Sequence, residues 1–227
     1  MKKIKAVSIV LFNLLVIAAL LSTWGLSRIL PADWFPPSQP LGVIEAIVLI
    51  VLFYTSLFSL HRMQLGLFPI PEGPIQYESW QRVNYDVYVL TYLLFFNPLI
   101  RSFTLPLPLM RPIYQALGAK LGPNTFPSGI LYDPSLITIG SNAIIGDNSI
   151  FVPHILEAGQ LAHKPIILGN NVTIGMRAII LSGTVIEDNA VVAAGSVVKK
   201  DTHIGAGEVW AGVPAKRIAP KVSDPAE

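Results

Sequence analysis

Polar and apolar positions divide the chain into three stretches with different rhythms. Residues 7–60 hold only three charged side chains, Arg28, Asp33 and Glu45. Val7 to Leu26 is charge-free over twenty residues, which as a helix is about 30 Å, the thickness of a bilayer core. Leu41 to Leu60 repeats that length with Glu45 near its start. Pro31 to Pro40, with Trp34 and Phe35, reads as a proline-rich turn carrying interfacial aromatics. Lys2, Lys3 and Lys5 precede the first run, as they do in a signal peptide. The run is longer than the usual core of roughly 7–15 residues, and no small-residue cleavage site follows it before Trp34. The pattern predicts a two-helix transmembrane hairpin over residues 1–62. The lysine cluster places the N-terminus in the cytoplasm, and two crossings return the chain there. The expected location is the inner (cytoplasmic) membrane, with the residues beyond 62 facing the cytoplasm.

Residues 63–120 form a connector. Val87 to Leu94 continues through Phe95 and Phe96 and breaks at Asn97-Pro98. As a helix, Val87 to Ile100 spans about 21 Å, too short to cross. Tyr77, Tyr85, Tyr88 and Tyr92 recur near helical spacing around Trp80 and Arg82. That predicts an amphipathic helix in the membrane surface, the alternative being a helix packed on the following domain. Phe103 to Pro112, with prolines at 106, 108 and 112, predicts an extended linker.

From Leu121 the rhythm becomes six. Every sixth residue reads Leu121, Pro127, Asp133, Ile139, Ile145, Phe151, then from Leu168 Ile174, Ile180, Ile186, Val192, Val198, Ile204, Trp210. Twelve of these fourteen are apolar. Small or branched residues recur four positions on, among them Thr125, Ala143, Ser149, Val172, Ala178, Thr184, Ala190 and Ser196. Gly follows the aliphatic position at 122, 140, 146, 169, 175 and 205, often before Asp-Asn or Asn-Asn. Six residues turn a helix by about 600°, so no helix keeps this period. Short strands joined by tight corners keep it, with both apolar positions facing inward and Gly, Asn and Asp tolerating positive φ at the corners. The prediction is a hexapeptide β-solenoid over residues 121–218, followed by a short tail, 219–227. Between Phe151 and Leu168 the phase is lost, which predicts a loop, Pro153 to Pro165, holding two of the four histidines.

Composition sets limits on the chemistry. Only 13% of residues are charged and 52% are apolar, against roughly 25% charged in an average soluble protein. A net charge of +2 offers no broad basic face for nucleic acid. The absence of cysteine excludes disulfides, thiolate metal sites and a cysteine acyl-enzyme.

The hexads, the single histidine-bearing loop and the ending AGVPAKRI (Ala211 to Ile218) resemble the bacterial hexapeptide-repeat acyltransferases. The resemblance runs from about Leu117 to Ile218. The membrane portion followed by LGAKLGPN (Leu117 to Asn124) resembles membrane-linked members. The resemblance implies a left-handed parallel β-helix, three chains per assembly, and acetyl-CoA or another acyl-CoA as co-substrate, with no metal. The left hand comes from the resemblance alone, because parallel crossovers are ordinarily right-handed.

His154 is the candidate general base, since imidazole accepts a proton near neutral pH. It also matches the family's catalytic histidine at the start of the interrupting loop. Glu157, three residues on, is expected to orient the ring, and backbone N–H groups at the corners to hold the oxyanion. His163 is the fallback base. His203 reads as a surface residue and His61 as a membrane-edge anchor. For the phosphates of acyl-CoA, the resemblance points to Ala194, Lys199 and Lys200 of the Ala-Gly-Ser hexad. It also points to Lys216 and Arg217 after Gly-Val-Pro. Met176-Arg177 departs from the small polar residue many relatives carry. The activity this implies is acyl transfer to a hydroxyl or amine of a saccharide, lipid-linked or peptidolipid acceptor. A non-catalytic scaffold and a zinc lyase of the gamma carbonic anhydrase kind are alternatives; the latter needs three histidines on one metal.

Overall fold

The computed structural model describes residues 3–31, 42–102 and 105–219. The aromatic turn around Trp34 and Phe35, and the tail from residue 220, lie outside the described residues.

Helices α1 (Ala6–Ser27) and α2 (Val43–Leu67) are long and apolar enough to cross a membrane, at about 33 and 37 Å. Leu14, Ile17, Leu20 and Leu21 of α1, and Ile47, Ile50 and Val51 of α2, are all exposed. A helix apolar on every side and exposed along its length suits lipid, not a protein core. Helix α2 runs past Leu60, so His61 is inside it rather than flanking it. His61 is fully buried between the rings of Tyr88 and Phe96, which differs from the edge anchor expected.

The connector is helical almost throughout. Ser79 caps α3 (Trp80–Thr91) by accepting from the Arg82 N–H. A π-helical turn, Tyr92–Phe96, then leads into α4 (Asn97–Arg101). Asn97-Pro98 therefore does not break the helix; proline lacks an N–H, and a wider turn absorbs the lost bond. Tyr85, Tyr88 and Tyr92 share one face and are buried. Through this face the helix packs on the following domain, the Tyr92 hydroxyl donating to the Leu131 carbonyl. The linker expected from Phe103 to Pro112 contains instead the start of α5 (Leu107–Ala116). Pro106 and Pro108 sit at its N-terminus, where backbone N–H groups have no intrahelical partner, and Met110 and Tyr114 are buried.

The remainder is a three-sided coil of parallel strands. One side stacks Lys120–Leu121, Ile137–Ile139, Ile166–Leu168, Val185–Ile186 and His203–Ile204. The second stacks Phe126–Pro127, Ile144–Ile145, Thr173–Ile174, Val191–Val192 and Val209–Gly212, closed by antiparallel Ala215–Ala219. The third stacks Ile130–Leu131, Ile150–Val152, Ile179–Leu181 and Val197–Val198. Ile174 pairs with Val192 and Val192 with Trp210, so one coil is three hexads. Aliphatic positions from Ile139 to Ile204 are almost wholly buried, and the small positions Ala143, Ala178, Thr184, Ala190 and Ser196 are too.

The corners divide their work differently from expectation. Positive φ falls on Asn124, Asn142, Asn148, Asn171, Arg177, Asn189 and Asp201, and, as expected of glycine, on Gly183, Gly195 and Gly207 of the same series. The glycines that follow the aliphatic positions serve close approach instead. A Cβ on Gly140 would lie 2.5 Å from the Gly169 oxygen, and one on Gly175 2.3 Å from the Ala194 nitrogen. Arg177, the departure noted in the sequence, holds a left-handed position (φ 57) of the kind Asn occupies elsewhere.

The interruption is an ordered hairpin, not a loose loop. His154–Glu157 pairs antiparallel with Gln160–His163 across a turn at Ala158-Gly159, both with positive φ. Gly73–Ile75 of the connector adds a third strand. One continuous apolar core joins Ala19 and Leu57 of the long helices, through Tyr92, Phe96 and Tyr114, to Ile204.

Candidate active site

The hairpin places His154 and His163 directly opposite each other at its base. His154 Nδ1 lies 2.6 Å from Asp133 Oδ2. A carboxylate only accepts, so Nδ1 carries the proton and Nε2 presents its lone pair. The His154 side chain is 33% exposed and that of Asp133 5%. Burial disfavours the charged ring, but the hydrogen bond and charge of Asp133 outweigh it and hold His154 above the usual histidine range.

Asp133 occupies the corner after Ile130–Leu131 with φ 45, ahead of a 3-10 turn, Pro134–Leu136. Counting by six puts it among the inward residues. The chain instead reaches its inward residue two positions early, since Leu131 is what stacks on Phe151. That releases Asp133 to the corner beside the hairpin. Its other oxygen, Oδ1, accepts from the Tyr85 hydroxyl at 3.2 Å. Burial first, and the neighbouring Asp133 next, push the Tyr85 hydroxyl well above the ordinary tyrosine value, so it remains a donor. Sequence reasoning missed both residues. The available signal for Asp133 was that it is the only charged member of the six-residue series.

Glu157 is not the residue that orients His154. Its carboxylate accepts from Lys200 Nζ instead. Positions three apart on a strand point to opposite faces, which separates Glu157 from the ring it was expected to hold. His163 is wholly buried, with Nδ1 3.2 Å from the Pro71 carbonyl oxygen and its ring against Tyr85, centroids 4.4 Å apart. Desolvation lowers its pKa despite Asp133 and the Pro71 contact, so it remains neutral. Sealed from solvent, it has no route to an acceptor. His203 is exposed and meets Glu187 at 2.8 Å. Among the described residues no three His, Asp or Glu side chains gather as a metal requires.

The candidate phosphate-binding residues fall into two groups. Ala194 lies at the corner that receives the C-terminal hairpin: the neighbouring Ala193 N–H donates to the Trp210 carbonyl, and Gly212 N–H donates to Ser196 Oγ. Lys216 and Arg217 lie on that hairpin, Arg217 pairing with Glu208 at 3.2 Å. Lys199 and Lys200 lie at the far end of Val197–Val198, where Lys200 ties the solenoid to the histidine hairpin through Glu157. Lys199 and Lys216 are exposed and meet no carboxylate among the described residues.

Residues 165–200 match the family described as the hexapeptide repeat of succinyl-transferase. The solenoid is the left-handed parallel β-helix of that repeat. A delta-poly-L-ornithine synthetase of Acinetobacter baumannii (strain AB307-0294) is 30% identical over 105 residues, covering 45% of this chain and 8% of the relative. The chain thus spans under a tenth of that relative's length. A hexapeptide-repeat acetyltransferase of Vibrio cholerae O1 biovar eltor, crystallised with acetyl coenzyme A, is 28% identical, with 47% of this chain and 62% of that one covered, at a TM-score of 0.42. A galactoside acetyltransferase in complex with coenzyme A is 27% identical over 56% of this chain and 79% of its own, at a TM-score of 0.45.

Proposed function

We propose that this protein is a membrane-anchored, acyl-CoA-dependent acyltransferase with His154 as its general base. The acceptor is a hydroxyl or amine of a saccharide, lipid-linked or peptidolipid molecule. The observation that carries this reading is the Asp133–His154 pair, 2.6 Å apart, with Nε2 turned away from its carboxylate. The match of residues 165–200 to a succinyl-transferase repeat supports the same class of chemistry.

Acyl-CoA supplies an activated thioester carbonyl and a thiolate that departs. Nε2 of His154 takes the acceptor's proton as that oxygen or nitrogen attacks, and the proton then leaves on the sulfur side. Asp133 keeps the reactive tautomer in place and steadies the imidazolium that forms, the role a buried carboxylate plays beside any catalytic histidine. Lys199 and Lys216 are exposed and meet no carboxylate among the described residues, and with Ala194, Lys200 and Arg217 they would hold the cofactor's phosphates. Helices α1 and α2 anchor the chain in the cytoplasmic membrane, and the solenoid faces the cytoplasm, where acyl-CoA is made.

His154→Ala opens no core cavity and leaves Asp133 bonded to Tyr85, so we expect the variant to fold with reduced thermal stability, checked by its melting temperature. We expect acyl transfer to fall by roughly 10²–10⁴-fold while acyl-CoA affinity stays near wild type. Turnover of labelled acyl-CoA in membranes, with loss or gain of an acyl mass on lipids and glycans, measures this. Wild-type turnover in His154→Ala would remove the assigned base.

A further inference from the structure

Tyr85 belongs to α3, which packs on the long apolar helix α1 as well as on the solenoid and its hairpin. Its hydroxyl reaches Asp133, the residue that fixes His154. Both side chains are sealed, Tyr85 being 6% exposed and Asp133 4%. Two oxygens of one carboxylate thus have one partner each: Oδ1 accepts from Tyr85 at 3.2 Å and Oδ2 from His154 Nδ1 at 2.6 Å. The carboxylate cannot rotate to offer the ring its other oxygen without breaking the Tyr85 bond in a buried setting, where a lost hydrogen bond is costly.

The ring of Tyr85 is itself held. It lies against His163 with centroids 4.4 Å apart and against Tyr88 at 5.9 Å. The next residue, Asp86, accepts from Arg82 Nε at 2.8 Å and from Ser8 Oγ of α1 at 3.3 Å. The register of α3, and with it the height of the Tyr85 hydroxyl, is therefore set by α1 as well as by the solenoid.

We propose that Tyr85 is a positioning residue for acyl transfer, acting through Asp133 and linking the aim of His154 to the packing of α3 on α1. The inference rests on the reading of His154 as the base. Tyr85 touches no reacting atom in this scheme; its effect passes wholly through the carboxylate.

The groups facing Asp133 are Tyr85, Tyr88 and Tyr92 from the helical connector and His154 and His163 from the hairpin. Arg82 and Asp86 stand behind Tyr85, and Tyr132 lies edge-on to His154. The test uses Tyr85→Phe in the full-length, membrane-bound protein, which removes one hydroxyl and keeps every ring contact. The expected result is a kcat lower by roughly tenfold with the KM for acyl-CoA within about twofold. The acid limb of the rate profile should also move to higher pH, because the charge of Asp133 then falls on His154 without the opposing hydroxyl dipole. In an Asp133→Asn background the same substitution should add no further loss. Wild-type kcat in Tyr85→Phe overturns the proposal. So does an additive loss on Asp133→Asn, or a lowered melting temperature with an unmoved acid limb, which marks a purely structural tyrosine. His154→Ala is run alongside: full turnover there overturns the base assignment itself, whereas an inactive His154→Ala with a normal Tyr85→Phe overturns only the role of Tyr85.

Discussion

As the proposed general base His154 needs an unprotonated Nε2, and Asp133 holds the ring above the ordinary histidine range of about 6.5. Activity should therefore rise with pH along a limb whose midpoint lies above that value. The linkage to folding runs the other way. A group whose folded pKa is raised adds stability that is complete below the unfolded value and is lost as pH climbs through the folded one. The Asp133–His154 contribution to stability thus fades over the range in which activity appears. Asp133→Asn should bring the limb down, since burial alone depresses a histidine. A wild-type limb at or below about 6.5 in a rate profile would show that the carboxylate does not govern the base. The histidine was legible as a candidate from its place at the phase break; the carboxylate beside it was not. Asp133 is 21 residues away in sequence, and the six-residue count assigned it to the interior. Glu157 was chosen for nearness in sequence, and strand alternation turned it toward Lys200. Proximity along a chain is a poor guide once a backbone alternates faces.

The solenoid strands announced themselves because burial recurs at a fixed interval, and no tertiary contact is needed to see that. The hairpin and the helical connector did not, because their form depends on partners. His154–His163 becomes two strands where Gly73–Ile75 pairs with it. Three prolines near α5 suggested extension, whereas two of them lie at its N-terminus, where a missing N–H costs little. For α1 and α2 the contacts at their ends put the start of one beside the end of the other. Lys5 pairs with Glu78 at 3.1 Å near the start of α1, and Gln64 Nε2 meets Asn84 Oδ1 at 2.9 Å near the end of α2. Both ends are thus held by the same part of the connector, on the side that carries the solenoid. A reporter fused at Glu227 should read as cytoplasmic, and one inserted between Pro31 and Pro40 as lying across the membrane. An exported Glu227 reporter would mean a third crossing or a cleaved first helix, and would cut the site off from cytoplasmic acyl-CoA.

A coil of stacked turns buries its own interior and leaves three flat outer faces. Along one of them Phe126 and Ile144 stand in register, 48% and 57% exposed, and Ile167 and Val185 do so on another. Such faces suit the association of three chains that the family resemblance implies, with acyl-CoA held between neighbours. Mass measurement of the purified protein in mild detergent should give three copies, and a monomer throughout would sink that assembly. At this scale the sequence displayed the parts, a hairpin of apolar helices and a solenoid, but not their union, because the core joining them draws single residues from distant segments. That union has a mechanical meaning. Ala19 and Leu57 share one core with Leu131 and Ile204, through Tyr92 and Tyr114, without an intervening linker. On the proposed reading, with α1 and α2 seated in a bilayer, the protein would behave as a ruler standing on the lipid surface. Nε2 of His154 would then be kept at one fixed elevation, and acceptors would be sorted by how far their hydroxyl or amine projects from the membrane before any pocket examines their shape.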